Sequence, residues 1–100
     1  MNEKQFASAI EDLLELYNWA WVHFRPARVM RNGKETYETP YSGHKGFLDY
    51  VVAKNGKVLL FEIKGDDGKV SPEQQKWLDA SHGKVYWPAD WPELQEILTK

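Results

Sequence analysis

Residues 46–64 read Gly46-Phe47-Leu48-Asp49-Tyr50-Val51-Val52-Ala53-Lys54-Asn55-Gly56-Lys57-Val58-Leu59-Leu60-Phe61-Glu62-Ile63-Lys64. Asn-Gly between two apolar runs is the strongest short signal for a two-residue hairpin turn, because both turn residues must take positive φ. With Asn55 and Gly56 as that turn, Lys54 pairs with Lys57 and all paired numbers sum to 111. Asp49 then lies opposite Glu62. Two carboxylates so placed have Cβ atoms about 5 Å apart and destabilise the sheet unless something positive lies between them. A divalent cation is the obvious candidate. Side chains alternate along a strand, so Lys64 shares the face of Glu62. Acid, acid and lysine converge on one point.

The rest of the hairpin bears on burial. Val51, Ala53, Val58 and Leu60 lie on the acid side, and Leu48, Tyr50, Val52, Leu59, Phe61 and Ile63 on the other. Both faces are apolar, which predicts helices over both. Acids under such a cover carry a desolvation cost unless a cation meets them.

Outward from the hairpin, capping and periodicity place the other elements. Asn2 caps a helix on which Phe6, Ile10, Leu13, Leu14 and Tyr17 recur at helical spacing. Glu3 shares that stripe, whereas Glu11, Asp12 and Glu15 lie off it. From Trp19 to Arg25 the chain alternates, with Ala20, Val22 and Phe24 on one face and Trp21, His23 and Arg25 on the other, as in a strand. Residues 26–45 read as a long loop with an irregular strand pair around Val29 to Thr39. Ser71-Pro72-Glu73-Gln74 carries a cap, a first-turn proline and a glutamine three after the cap. The helix it opens runs to about Ser81 and ends at Gly83, with His82 at its end. Lys84 to Trp87 reads as a short strand, and Asp90 to Glu93 as a second capping box opening a last helix. The expected order is helix, strand, hairpin, helix, strand, helix.

Composition narrows the function classes. A chain of 100 residues with five Trp, five Tyr and four Phe is one domain with a real core. It has no cysteine, which excludes disulfides and thiolate metal sites. No apolar run reaches the length of a membrane span or signal core, so a soluble, intracellular, cytoplasmic protein without a membrane partner is expected. The net charge of -2 conceals an asymmetry: residues 24–45 hold Arg25, Arg28, Arg31, Lys34 and Lys45 against Glu35 and Glu38, a local balance of +3. A cationic stretch beside an acidic site suits phosphate binding once a metal neutralises the acids.

This order and these residues resemble the VRR-NUC branch of the PD-(D/E)XK nucleases, in particular small stand-alone members of phage type. The resemblance spans nearly the whole chain: Glu3 with Phe6, Trp21 to Arg28, Gly46 to Asp49, Glu62-Ile63-Lys64, Ser71 to Gln74 with Trp77-Leu78, and Trp87 to Trp91. One departure is Leu48, where the family typically has proline before the acid; that position shapes the strand entry. The resemblance implies an α/β restriction-endonuclease-like fold, a mixed sheet with a central hairpin flanked by helices. It also implies a Mg²⁺- or Mn²⁺-dependent DNA endonuclease, with Asp49, Glu62 and the Ile63 carbonyl as metal ligands and Lys64 orienting or deprotonating the attacking water. Glu3 adds a third acid, or merely favours a helix N-terminus. Gln74 closes a capping box, or turns into the site. Arg25, Arg28, Arg31, Lys34, His44 and Lys45 would meet DNA, and His23 is either structural or a further contact. Branched DNA, four-way junctions foremost, is the expected substrate, and two symmetric cuts call for a homodimer. A flap nuclease, a non-catalytic DNA-binding module and an accessory protein with a structural metal stay open as alternatives.

Overall fold

In a computed structural model of the chain, Asn55 and Gly56 both take positive φ, 51° and 80°, as a primed hairpin turn requires. They join β4 (Tyr50–Lys54) to β5 (Lys57–Ile63), and every pair from Tyr50↔Phe61 to Lys54↔Lys57 keeps the sum of 111. The structure describes residues 1–24, 27–38 and 42–100, with the backbone alone for 27–29, 31, 37 and 38.

The elements in chain order are α1 (Glu3–Leu16), β1 (Ala20–His23), β2 (Ala27–Arg31), β3 (Lys34–Glu38), β4, β5, α2 (Pro72–Ser81), β6 (Lys84–Tyr86), a 3₁₀ turn (Pro88–Asp90) and α3 (Trp91–Leu98). β1, β4, β5 and β6 form one mixed sheet in that order: β1 and β5 run antiparallel to β4, and β6 runs parallel to β5. A parallel neighbour needs a crossover, and α2 is that crossover. The fold is thus α/β, a mixed four-stranded sheet flanked by helices. None of the described helices is long and apolar enough to cross a membrane.

Helix α1 starts at a full capping box: the Asn2 side chain accepts from the Gln5 amide, and the Gln5 side chain accepts from the Asn2 amide. It ends in a Schellman turn. Asn18 takes φ 62°, and the Trp19 amide reaches back to the Leu14 carbonyl. Phe6, Ile10 and Leu14, spaced by one turn, are fully buried against Tyr50, Val52, Phe61 and Ile63 and against Leu94 and Leu98 of α3. Tyr50 stacks on its cross-strand partner Phe61 at 5.0 Å. The Trp19 indole donates to the Leu98 carbonyl at 2.8 Å, tying α3 to the start of β1.

Four expectations are corrected. Helices α1 and α3 cover one sheet face, but the acid face is covered only in part: Val22 is 42% and Val58 63% exposed. Helix α2 reaches that side through the Gln74–Glu62 hydrogen bond and the Trp77–Phe47 ring contact. Second, residues 27–38 form a regular antiparallel hairpin instead of an irregular pair, turning at Asn32-Gly33 with φ 50° and 77°. Third, the left-handed residue that ends α2 is His82, at φ 55°, and not Gly83. Gly83 is required for space, since a Cβ there would lie 2.6 Å from Leu48 Cδ1 and 3.1 Å from the Leu60 carbonyl oxygen. Fourth, Asp90 does not cap α3; its carboxylate turns back to the Trp87 amide at 2.9 Å, closing the 3₁₀ turn.

Candidate functional site

Asp49 lies one residue ahead of β4, where its backbone carbonyl accepts from the Phe24 amide at 2.7 Å. This bond extends the β1–β4 ladder past His23↔Tyr50 and fixes where the side chain starts. Asp49 Oδ2 accepts from the Ile63 amide at 3.0 Å, so the carboxylate leans across the hairpin toward the end of β5. Glu62, second from the end of β5 and paired with Val85 of β6, is 2% exposed. Its Oε1 accepts from Gln74 Nε2 at 2.9 Å and lies 3.6 Å from Lys64 Nζ, while its buried Oε2 has no hydrogen-bond partner. Burial, and after it the neighbouring Asp49 carboxylate, pushes the Glu62 carboxyl up to about 9, against the opposing pull of Lys64. At neutral pH this carboxyl holds a proton unless a cation takes its place. Protonated, it can share that proton with Asp49; ionised, its Oε2 is an acceptor without a donor beside a second carboxylate, which fits a hard divalent ion that prefers oxygen ligands.

The Glu62–Lys64 pair is organised by α2. Gln74 both closes the capping box and reaches Glu62 and Lys64. Its Oε1 accepts from the Ser71 amide at 3.0 Å, closing the capping box, and from Lys64 Nζ at 2.9 Å, while Nε2 reaches Glu62. The Lys64 backbone is held by the hydrogen bond its amide donates to the Tyr86 carbonyl at 3.0 Å. The helix start is in turn seated on Gly46, whose α-carbon faces Glu73 and Gln74 so closely that a Cβ would lie 2.6 Å from Glu73 Cβ.

Glu3 stands across a cleft of about 460 Å³ that Asp49, His23, Phe24, Lys4 and Glu11 also line. Its carboxyl is raised by burial and by Asp49, with Lys64 and His23 pulling the other way. Glu3 thus shares the cleft with Asp49, but it is exposed and not part of the buried stripe expected of it, and among the described residues no three of His, Cys, Asp and Glu gather closely enough to hold one ion. Beside it lies a network that the sequence reading passed over. Glu11 Oε2 accepts from the Tyr50 hydroxyl at 2.6 Å and lies 2.9 Å from His23 Nδ1, and the His23 ring stacks on Tyr50 at 4.1 Å. The position of Glu11 off the apolar stripe gives no hint of this. The available signal was the spacing Glu3, Ala7, Glu11, three positions four apart that fall on one helix face.

The cationic residues are less gathered. Lys34 is at the turn of the β2–β3 hairpin, and Arg28 and Arg31 lie in β2, their side chains outside the described set; Arg25 lies outside the described residues altogether. His44 and Lys45 are exposed on the loop before Gly46, and their carbonyls take the Trp77 indole at 3.4 and 3.0 Å. Lys76 Nζ stands 3.5 Å from His44 Nδ1. No family model, curated protein or solved structure matches the chain.

Proposed function

We propose that the chain is a divalent-metal-dependent DNA endonuclease with a PD-(D/E)XK-type core, as the resemblance to VRR-NUC nucleases implies. The observation that carries this reading is Glu62: a fully buried carboxylate with one orphaned oxygen, beside Asp49, with a lysine two residues on. A structural ion pair would not need that oxygen left over. Asp49 and Glu62, with the Ile63 carbonyl, would hold Mg²⁺ or Mn²⁺, while Glu3 stays outside that set and lines the cleft beside Asp49. When bound, such an ion lowers the pKa of a water and neutralises charge on the phosphoryl oxygens.

The chain's own residues do the rest. Gln74 holds Lys64 Nζ and Glu62 Oε1 together, so the ammonium stands beside the acids in a fixed geometry. From there Nζ orients the attacking water and stabilises the charge that develops on the phosphate. Lys4 lines the cleft with Asp49 and Lys64 stands beside Glu62, and positive charge near the acids suits a polyanionic substrate. Branched DNA, with four-way junctions first, is the substrate class, and a homodimer supplies two symmetric cuts.

Wild type is expected to cut at least one of junction, flap, duplex and single-stranded DNA in Mg²⁺ or Mn²⁺ and none in EDTA. Lys64→Ala should be slower by about 10²-fold or more. Failure of wild type to cut any of the four in either metal would remove the assignment. Light scattering that shows only monomer, with and without junction DNA, would remove the dimer.

A further inference from the structure

We infer that Phe24, backed by Phe47 and Trp77, is a stacking platform for an unpaired nucleobase beside the acid pair. On the nuclease reading above, on which this inference rests, the substrate is then a strand with unstacked bases next to the scissile phosphate, and not uninterrupted duplex.

Phe24 is tied to the site by its backbone, since its amide donates to the Asp49 carbonyl at 2.7 Å. Its side chain lines the same cleft as Asp49 and is 37% exposed. The ring is supported from behind. Phe47 meets it edge-to-face at 5.3 Å and 73°, and Trp77 meets Phe47 at 4.8 Å and 78°. The Trp77 indole is anchored on the Lys45 carbonyl at 3.0 Å, so the far end of the row is fixed. Edge-to-face contacts hold ring planes in place, which preorganises the exposed face of Phe24.

A phenylalanine serving only the core would bury its ring, as Phe6 and Phe61 do at 0% and 1% exposure. Phe24 instead sits on the sheet face left partly uncovered, at the position next to the acids. The row runs toward His44, Lys45 and Lys76, with Lys76 Nζ 3.5 Å from His44 Nδ1. Cations along a row of rings are what a single strand needs, since phosphates follow the charge while bases stack on the rings. Aromatic stacking accepts every base, so the platform confers structure preference without sequence preference.

The test uses the full chain with Ca²⁺ in place of Mg²⁺, and a single-stranded oligothymidylate carrying one 2-aminopurine, alone or annealed into duplex. Wild type and Phe24→Trp should change the 2-aminopurine emission of the single strand. Phe24→Ala and Phe24→Leu should abolish that change and weaken single-strand binding about 5- to 100-fold, with duplex binding within twofold of wild type. The leucine variant keeps an apolar side chain and decides the matter should the alanine variant fold poorly, as a thermal melt would show. Single-strand affinity of Phe24→Leu within twofold of wild type would overturn the platform, and so would wild type that leaves 2-aminopurine unaffected. Wild type that responds in this way yet cuts no DNA in Mg²⁺ or Mn²⁺ would leave the platform standing and remove the nuclease reading alone.

Discussion

Glu62→Gln is expected to stabilise the metal-free protein above neutral pH and, in the same molecule, to lower DNA cleavage by about 10³-fold or more. The folded Glu62 carboxyl is raised from its ordinary 4.5 to about 9, chiefly by burial. A carboxyl raised on folding contributes stability that is fully present below its unfolded value and is lost as pH climbs through the folded one. Metal-free wild type should therefore lose stability progressively from about pH 5 to about pH 9, while Glu62→Gln, which keeps the shape without the charge, should show little of that slope. At pH 8 the variant should be more stable by about 1–3 kcal/mol, the cost of a buried polar group left incompletely paired. For a domain of this size that is a melting-temperature rise of at least about 4 °C. Melts in EDTA across that pH range check the claim, and parallel pH slopes for the two proteins would refute it. Mg²⁺ or Mn²⁺ should stabilise wild type and not the variant, with a proton released on binding at pH 7, because the ligand must be deprotonated.

Gly46→Ala is expected to be the most damaging small substitution in the chain. Gly46 takes φ +83°, and a Cβ there would lie 2.6 Å from Glu73 Cβ, 2.7 Å from the Glu73 carbonyl carbon and 2.9 Å from the Gln74 amide nitrogen. Two of these neighbours are backbone, so no rotamer change relieves the contact. Strain and overpacking together should cost about 2–4 kcal/mol. The relaxation must push back the first turn of α2, and Gln74 moves with it. Cleavage should fall by about 10-fold or more under conditions where the variant is still folded, because Lys64 Nζ and Glu62 Oε1 lose their common partner. Gly33→Ala is the control: φ is +77°, but nothing lies within 4 Å of the added atom. It should cost only about 1–2 kcal/mol and leave cleavage unchanged. Equal urea midpoints for the two variants would show that the Gly46 contact is not the constraint described.

Much of the architecture is legible because its signals are local. Asn55-Gly56 demands positive φ twice, which selects the turn and with it the register from Lys54↔Lys57 to Tyr50↔Phe61. Asn2 with Gln5 and Ser71 with Gln74 start their helices where capping chemistry places them. The same rule applied at Asn32-Gly33 identifies the second hairpin. Asp90 misled because one short carboxylate can serve either of two adjacent turns, and it closed the earlier one.

The site divides along the same line. That Asp49, Glu62 and Lys64 converge follows from turn type and strand period, properties of residues close together in the chain. That Glu62 is sealed from water with one oxygen unpartnered, that Gln74 spans cap and site, and that Glu11, His23 and Tyr50 join beneath the cleft are outcomes of packing alone. Residues 11 and 50, or 62 and 74, meet only once a helix docks on the sheet, and no local preference encodes that distance. The uncovered half of the acid face, with Phe24 at its edge, was decided in the same way. Apolar alternation tells a strand which residues share a face, but the reach of three short helices determines how much of that face is covered.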